Sequence, residues 1–172
     1  MTLRADAQRN LDRLLEAAGE VFAEQGVDAS IDEIARRAGV GHGTVFRRFP
    51  TKDALLAAVL TKQMLQLSMT AELAYAEPDA GEAFDRFVRN VADAYGRNRS
   101  LIDAMKRCGA TPEVDALVGA VARLLRRAQD AGAIRTDVTA EDVLALVPTA
   151  STYPEIVLDG LRPSKPVRST RS

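Results

Sequence analysis

The stretch that decides the fold is Ser30–Lys52, which reads SIDEIARRAGVGHGTVFRRFPTK. It contains two short helical patterns separated by a glycine turn, and cations are concentrated around the second pattern. A helix-turn-helix has this arrangement when it presents its second helix to a groove of DNA. The stretch therefore predicts a DNA-binding module.

Local signals mark the ends of the helices in and before this stretch. Ser30 and Glu33 have the spacing of a capping box, with Ser30 at the N-cap of the first helix. Gly41 is a tolerable N-cap for the second helix. An earlier helix is predicted over residues 6–25, because apolar residues recur there at steps of three and four and Gly26 follows the last turn. The three helices together form one module.

The rest of the chain also has the pattern of helices, since no segment shows sustained alternation of period two. The expected elements are a long helix to about residue 76, a helix capped by Asp79 and Glu82, a short helix over residues 100–107, a helix from 112 to about 132, a helix opened by Thr139 and Asp142, and a short apolar segment over 156–161. Pro148 and Pro154 bracket a polar break. The predicted fold class is all-α, with a larger helical body from about residue 56.

Composition limits the class of protein. Hydrophobic residues make up 47% of the chain and charged residues 27%, the balance of a globular protein. No run of eighteen apolar residues occurs, and the N-terminus lacks the apolar segment of a signal peptide, so we expect a cytoplasmic protein with no membrane partner. Residues 163–172 are rich in Pro, Ser and Arg, which predicts a disordered tail.

The inventory of reactive residues argues against an enzyme. The chain has one histidine and one cysteine, so neither a His/Cys metal cluster nor an internal disulfide fits. It has no glycine-rich phosphate loop and no HExxH or GxSxG pattern. We therefore predict no catalytic residue, no cofactor and no metal site.

The net charge of −1 does not by itself indicate nucleic-acid binding, but the local distribution does. Five cations lie between residues 34 and 52, with no acid among them: Arg36, Arg37, Arg47, Arg48 and Lys52. A cation cluster on a helix is often only a solvated surface. Here the surrounding helix-turn-helix pattern favours contact with DNA phosphates.

Several motifs in the first sixty residues resemble one known family. They are Leu14-Leu-Glu-Ala-Ala18, Val21-Phe22, Gly26, Ile34-Ala35, Ala38-Gly39-Val40, Gly43-Thr44-Val45-Phe46, Phe49 and Lys52-Asp-Ala-Leu55. In these residues the chain resembles the TetR family of bacterial transcription regulators. The segment Leu124–Asp137 is also similar to a segment of the SbtR-like C-terminal domains.

This resemblance implies two domains with different functions. Residues 1–55 would form the helix-turn-helix DNA-binding domain, and residues 56–162 a helical ligand-binding and dimerisation domain. The resemblance implies a repressor that binds a palindromic double-stranded operator as a homodimer, with half-sites about 34–36 Å apart. A small, mostly apolar ligand would move the fourth helix and release DNA. The alternative is a DNA-binding regulator without a small-molecule effector, gated by a protein partner or constitutive.

Residues on and beside the second helix of the motif are candidates for contact with DNA, and among them Lys52 matches the family lysine that binds a backbone phosphate. The candidates are Ser30, His42, Gly43, Thr44, Phe46, Arg47, Arg48 and Lys52. We expect Arg47 or His42 to read bases, because arginine can bind guanine through two hydrogen bonds. We expect Ser30, Thr44 and Lys52 to contact the backbone, while Gly43 keeps the helix surface low.

Two positions depart from the family pattern. Phe46 stands where the family usually has a tyrosine whose hydroxyl binds a phosphate, so this contact is missing or is replaced by Arg47 or Arg48. Gly41 replaces a common Ser or Thr, which removes a side-chain cap and a potential phosphate contact. Neither change disrupts the predicted fold.

Apolar residues on the middle helices could line a ligand pocket. The candidates are Met64, Leu67, Phe84, Phe87, Tyr95, Met105, Cys108, Leu117 and Val121. Ordinary core packing explains most of them equally well, and the alternative is a pocket for a small apolar molecule between helices. No charged residue stands out as a ligand anchor, so the sequence does not identify the effector.

The dimer contact is also left open by the sequence. After Val147 the chain reads Pro-Thr-Ala-Ser-Thr-Tyr-Pro and then a short apolar segment. A full last pair of helices would need more residues than this. The predicted homodimer therefore rests on an atypical contact or on a shortened C-terminal hairpin.

Overall fold

A computed structural model describes residues 3–97 and 111–163 of the 172 residues. These ranges form eight α-helices and contain no β-strand, which confirms the all-α prediction. The helices are α1 (Leu3–Gln25), α2 (Ile31–Ala38), α3 (His42–Arg48), α4 (Lys52–Tyr75), α5 (Ala80–Arg97), α6 (Pro112–Asp130), α7 (Ala140–Ala150) and α8 (Pro154–Leu161). None of these described helices is long and apolar enough to span a membrane.

Some predictions fall outside the described residues. They concern Met105, Cys108, the short helix over residues 100–107, and residues 164–172 of the predicted tail. The described residues fall into two compact units. The first lies within Met1–Gln66 and Arg97–Val114, and the second within Leu67–Gly96 and Asp115–Ser172. The domain boundary proposed at residues 55 and 56 stays a prediction.

The first unit contains an apolar core built from one face of each of its helices. Phe22, Ile34 and Leu55 are fully buried in it. Its other buried members are Leu14, Leu15, Ala18, Val21, Ala29, Ala35, Val45, Val59 and Leu60. Burying a large apolar side chain stabilises a fold by about 1.5–3 kcal/mol relative to leaving it in water. The core therefore holds α3 firmly, although α3 is only seven residues long.

Gly39 makes the turn between α2 and α3. Its φ of +68° lies in the left-handed region, where a side chain would be strained. The Gly39 N–H donates to the Arg36 carbonyl at 3.2 Å, and the Val40 N–H donates to the Ala35 carbonyl at 3.0 Å. These bonds satisfy carbonyls at the end of α2, so the helix ends here and the chain turns into α3.

The capping box expected at the start of α2 is not formed. Ser30 is the N-cap, but its Oγ accepts from the Asp32 N–H at 3.1 Å rather than from the Glu33 N–H. The Glu33 carboxylate instead accepts two hydrogen bonds from Arg36, at 2.9 and 2.7 Å. Since a bond to a guanidinium is charge-assisted, Glu33 gains more from Arg36 than from reaching back to a backbone N–H.

The second unit contains the buried faces of α5 to α8. Its capping signals behave as predicted: the Asp79 carboxylate accepts from the Glu82 N–H at 2.9 Å. Thr139 and Asp142 form a reciprocal capping box at the start of α7. Its buried residues include Ala83, Phe84, Phe87, Val88, Val91, Leu124, Leu125, Ile134, Val143, Val147, Val157, Leu158 and Leu161.

The predicted break at Pro148 is wrong. Pro148 lies inside α7, which continues to Ala150. Proline removes only its own N–H donor, and the helix resumes bonding behind it, with the Ser151 N–H donating to the Val147 carbonyl at 2.9 Å. Val147 and Ala150 are both buried, so packing favours this last turn. The polar break is therefore limited to residues 151–153.

Candidate nucleic-acid interface

The helix α3 exposes almost all of its side chains. Val45 is its one buried residue and anchors it to the core of the first unit. Its other residues are exposed, namely His42, Gly43, Thr44, Phe46, Arg47 and Arg48. Phe46 is 40% exposed, which is unusual for a phenylalanine in a folded protein. This surface is available for contact with a partner.

The exposed residues of α3 fall into two groups. Thr44, Arg47 and Arg48 line one groove of about 390 Å³ between α1 and α3, together with Leu11 and Val40. Positions i, i+3 and i+4 share one face of a helix, so this grouping follows from their spacing. Arginine can rest its aliphatic stem on such an apolar surface while its charged head stays in water.

His42 and Phe46 form the second group. Their ring centroids lie 4.6 Å apart with planes tilted by 37°. His42 Nδ1 also contacts a carboxylate oxygen of Asp32 in α2. Asp32 was not among the predicted site residues, because nothing in the sequence indicates a contact between positions ten residues apart across a turn.

Two of the five cations form ion pairs with glutamates of the first unit. Arg36 is paired with Glu33, and Arg37 donates to Glu24 of α1 at 2.7 Å. The hydrogen bond from Arg37 lowers the pKa of Glu24, and the bonds from Arg36 lower the pKa of Glu33. The spacing of Glu33 and Arg37, four residues apart on one helix, is the sequence signal for part of this network.

The other three cations have no such partner. Arg47, Arg48 and Lys52 make no ion pair with any residue of the ranges 3–97 and 111–163. Lys52 begins α4 directly after Thr51, whose hydroxyl oxygen accepts from the Ala54 N–H at 3.1 Å. Of the five cations between residues 34 and 52, those that form no ion pair with the described residues therefore lie on α3 and at the start of α4.

The remaining predicted contacts lie at helix starts. Ser30 Oγ accepts the capping bond from Asp32, which leaves its hydroxyl hydrogen able to donate to a phosphate. Gly41 is the N-cap of α3 and supplies no side-chain bond. A Cβ added at Gly43 would meet no atom within 4 Å, so packing inside the protein does not require glycine there.

The predicted ligand-lining residues are mostly buried. Phe84, Phe87 and Tyr95 lie on α5, and Leu117 and Val121 lie on α6. All five are buried and belong to the second unit.

The two candidates on α4 differ from these five. Met64 is buried in the first unit, whereas Leu67 is half-buried in the second. No group of three or more potential metal ligands occurs within the described part of the chain.

Comparison with known proteins identifies the family. The family model described as bacterial regulatory proteins, tetR family, matches residues 14–59, and the model described as transcriptional regulator SbtR-like, C-terminal domain, matches residues 79–163. A crystal structure of a TetR transcription regulatory protein from Mycobacterium vanbaalenii is 38% identical, with a TM-score of 0.78, and covers 94% of this chain and 100% of that chain. This chain belongs to the TetR family.

Curated TetR-family relatives agree with this assignment. An uncharacterized HTH-type transcriptional regulator from Mycobacterium tuberculosis is 30% identical over 135 residues, which are 72% of this chain and 69% of the relative. The HTH-type transcriptional regulator SrpR of Pseudomonas putida is 44% identical over 72 residues, which are 40% of this chain but only 34% of SrpR. The match to the P. putida regulator TtgW covers 54% of that protein.

The TetR family and the relatives are transcriptional regulators and not enzymes. The chain is thus a TetR-family transcriptional regulator with an N-terminal DNA-binding domain and an SbtR-like C-terminal domain. Regulators of this family bind DNA and usually act as dimers.

Proposed function

We propose that this TetR-family regulator is a repressor, which binds a palindromic operator as a homodimer and is released by a small, mostly apolar ligand. The observation that carries the proposal is the division of its cations. Arg36 and Arg37 are neutralised by glutamates, whereas Arg47, Arg48 and Lys52 are unpaired with respect to the described residues. Such a regulator acts on chromosomal DNA in the cytoplasm.

The unpaired cations have different tasks in this proposal. Lys52, with Ser30 and Thr44, contacts backbone phosphates, which fix the register of the protein on the duplex. Arg47 reads a base in the major groove, since its two-pronged donor matches guanine. Arg48 replaces the phosphate contact that Phe46 lacks for want of a hydroxyl.

The homodimer would form through the last helix of the second unit. Ile156 is 69% exposed and Tyr153 is 56% exposed, although both are large apolar side chains. A Cβ at Gly160 would meet no atom within 4 Å, so a partner helix could approach closely there. Tyr153, Ile156 and Gly160 share one face by their spacing of three and four residues. A second copy would cover this face.

Ligand release would act through α4, which begins at the DNA-binding residue Lys52 and ends at Tyr75. In the second unit, Arg123 of α6 is paired with Glu72, and Arg127 of α6 donates to the Tyr75 carbonyl at 2.9 Å. A ligand among the candidate residues of α5 and α6 would shift α6 and, through these bonds, the end of α4. The ligand would be apolar, with Tyr95 as a polar anchor.

The test is binding of the full-length protein to duplexes from the DNA flanking its own gene, with a scrambled duplex of equal composition as control. We expect preference for one flanking duplex and a steep fall in affinity as salt rises, because phosphate contacts release counterions. Equal binding to both duplexes at every salt concentration would overturn the proposal.

A second arm tests the ligand. Apolar molecules that raise the melting temperature of the protein should also release the operator duplex. A protein that binds its operator tightly, but is never released by molecules that stabilise it, would instead be a regulator without a small-molecule effector.

A further inference from the structure

The contact between α2 and the first residue of α3 constrains the chemistry of His42. Its Nδ1 contacts a carboxylate oxygen of Asp32. Asp32 is the second residue of α2, and its carboxylate is 78% exposed, while the His42 side chain is 53% exposed. A carboxylate can only accept a hydrogen bond, so Nδ1 must carry the hydrogen.

This contact decides which ring nitrogen remains available. When the ring is neutral, a hydrogen on Nδ1 leaves Nε2 with a lone pair, which makes Nε2 an acceptor. Nε2 has no partner among the residues that the structure describes. The Asp32 carboxylate thus selects one tautomer and leaves the acceptor free for an external donor.

Phe46 packs against the same ring. Its centroid lies 4.6 Å from that of His42, at an interplanar angle of 37°. Aromatic pairs at such distances favour definite relative orientations. Phe46 cannot bind a phosphate as the usual tyrosine of the family would. Its contact with His42 gives it a different role, which is to restrain the His42 ring.

We infer that Asp32 and Phe46 are positioning residues for His42. Asp32 holds the ring in the Nδ1–H tautomer, and Phe46 restrains its orientation. Nε2 then accepts a hydrogen bond from the exocyclic amine of an adenine or a cytosine. In the major groove these amines, N6 of adenine and N4 of cytosine, are the donors that the bases present. Guanine and thymine offer acceptors to the same atom and are rejected. The inference rests on the proposed binding of a DNA operator.

A purely structural role for Asp32 is the competing explanation. An acid in the first turn of a helix stabilises it through the helix dipole. That role would affect the stability of α2 but would not change the tautomer of a side chain in α3. The two explanations are therefore separated by a measurement on the ring itself.

The first experiment reads the tautomer by nitrogen-15 NMR of the full-length labelled protein at about pH 8, where histidine rings are generally neutral. His42 is the only histidine in the chain, so its ring signals need no assignment. We expect the Nδ1–H tautomer to dominate in the parent protein and in Asp32→Asn, whose amide oxygen still accepts. We expect Asp32→Ala to shift the ring toward Nε2–H.

The second experiment selects binding sites from a library of randomised duplexes. The parent protein should require adenine or cytosine at one position of each half-site, and His42→Ala should lose that requirement. Asp32→Ala and Phe46→Leu should weaken the preference at that position about five- to tenfold, and Asp32→Asn should largely keep it. Asp28→Ala is the matched control, because it removes an exposed acid of the same unit that does not contact His42.

The outcomes are distinct. If the parent protein selects no sequence at all, the proposed operator binding fails. If it selects a sequence, but its ring is in the Nε2–H form or Asp32→Ala changes neither the tautomer nor the base preference, the positioning role of Asp32 is wrong. If Phe46→Leu leaves the base preference unchanged, Phe46 is not a positioning residue for His42.

Discussion

Arg37 of α2 donates a hydrogen bond from Nη1 to Oε1 of Glu24 in α1, at 2.7 Å. The same guanidinium lies 3.4 Å from Glu33 of its own helix. The side chain of Arg37 is only 27% exposed, so it acts as a bridge between the first two helices rather than as a free surface charge. A basic residue in a DNA-binding module is therefore not necessarily a DNA contact.

Replacing Arg37 separates these two roles. We expect Arg37→Ala to lower the melting temperature measurably, because it removes the link between α1 and α2, while the affinity of the folded protein for DNA changes little. Arg36→Ala is the control, since Arg36 is 72% exposed and pairs only within its own helix. Thermal unfolding and binding titrations are measured on both. An Arg37→Ala protein with unchanged stability and strongly weakened DNA binding would contradict this assignment.

The same pair predicts a pH dependence of stability. The hydrogen bond from Arg37 lowers the pKa of Glu24 below its ordinary value of 4.5. A carboxylate with a lowered pKa stabilises the fold fully above its ordinary value and loses this contribution as the pH falls through the lowered value.

The Glu24→Gln variant tests this sign. The difference in unfolding free energy between the parent protein and Glu24→Gln should be largest near about pH 7 and should shrink below about pH 4. Urea denaturation across this range measures it. Glu16→Gln, on the same helix, serves as the control, and an equal pH dependence of both variants would exclude the Glu24 contribution.

Lys52 and Arg47 should have separable effects on DNA binding. Lys52→Ala should weaken binding to every duplex and reduce the salt slope by about one unit, because it removes one phosphate contact. Arg47→Ala should instead lower the preference for the operator over a scrambled duplex about tenfold or more. Titrations of both duplexes over a salt series distinguish the two. Identical effects on both duplexes would show that the roles are assigned wrongly.

Local signals were sufficient for much of this fold. The helix start at Thr139 and Asp142 and the cap at Asp79 and Glu82 depend on residues within three positions of each other, and both were predicted correctly. The box at Ser30 was not, because Glu33 has a stronger partner in Arg36 than the backbone offers. A cap can be predicted only when its side chains have no better partner nearby.

In the candidate site, contacts between residues far apart in the sequence could not be predicted either. The exposure of Arg47 followed from the helical pattern, but the contact of Asp32 with His42 joins two helices across a turn. The bond from Arg37 to Glu24 spans thirteen positions. Which cation stays free depends on such tertiary contacts, and a sequence pattern of one helix does not contain them.

Ile156 offers a test of the homodimer. Ile156→Glu places a charge at the centre of the exposed face of α8, and we expect it to convert the dimer to a monomer because a buried unpaired charge is costly. Leu73→Glu is the matched control, since Leu73 of α4 is 70% exposed and lies outside this face. Sedimentation equilibrium measures both. A dimeric Ile156→Glu protein beside a monomeric Leu73→Glu protein would place the interface on α4 instead.

Arg127 provides the clearest test of how α4 is anchored in the second unit. Its guanidinium donates to the carbonyls of Tyr75 and Pro78, at 2.9 and 3.0 Å, and also to that of Glu77. Its cationic carbon lies 5.7 Å from the centre of the Tyr75 ring. The carbonyls at the end of a helix have no partner within the helix, so Arg127 satisfies groups that would otherwise be left to water.

Arg127→Met keeps the aliphatic stem and removes all three hydrogen bonds. We expect it to destabilise the protein by about 1–2 kcal/mol, at the lower end for bonds to a charged donor because the site is only half-buried. Arg127→Lys should be intermediate, since a single ammonium cannot span three carbonyls as the planar guanidinium does. Arg126→Met, at an exposed neighbour, is the control.

The same Arg127→Met variant tests whether α4 transmits the ligand signal through Arg127. If it does, the variant should bind its operator with normal affinity but release it less completely when ligand is added. A purely stabilising bond would leave release unchanged.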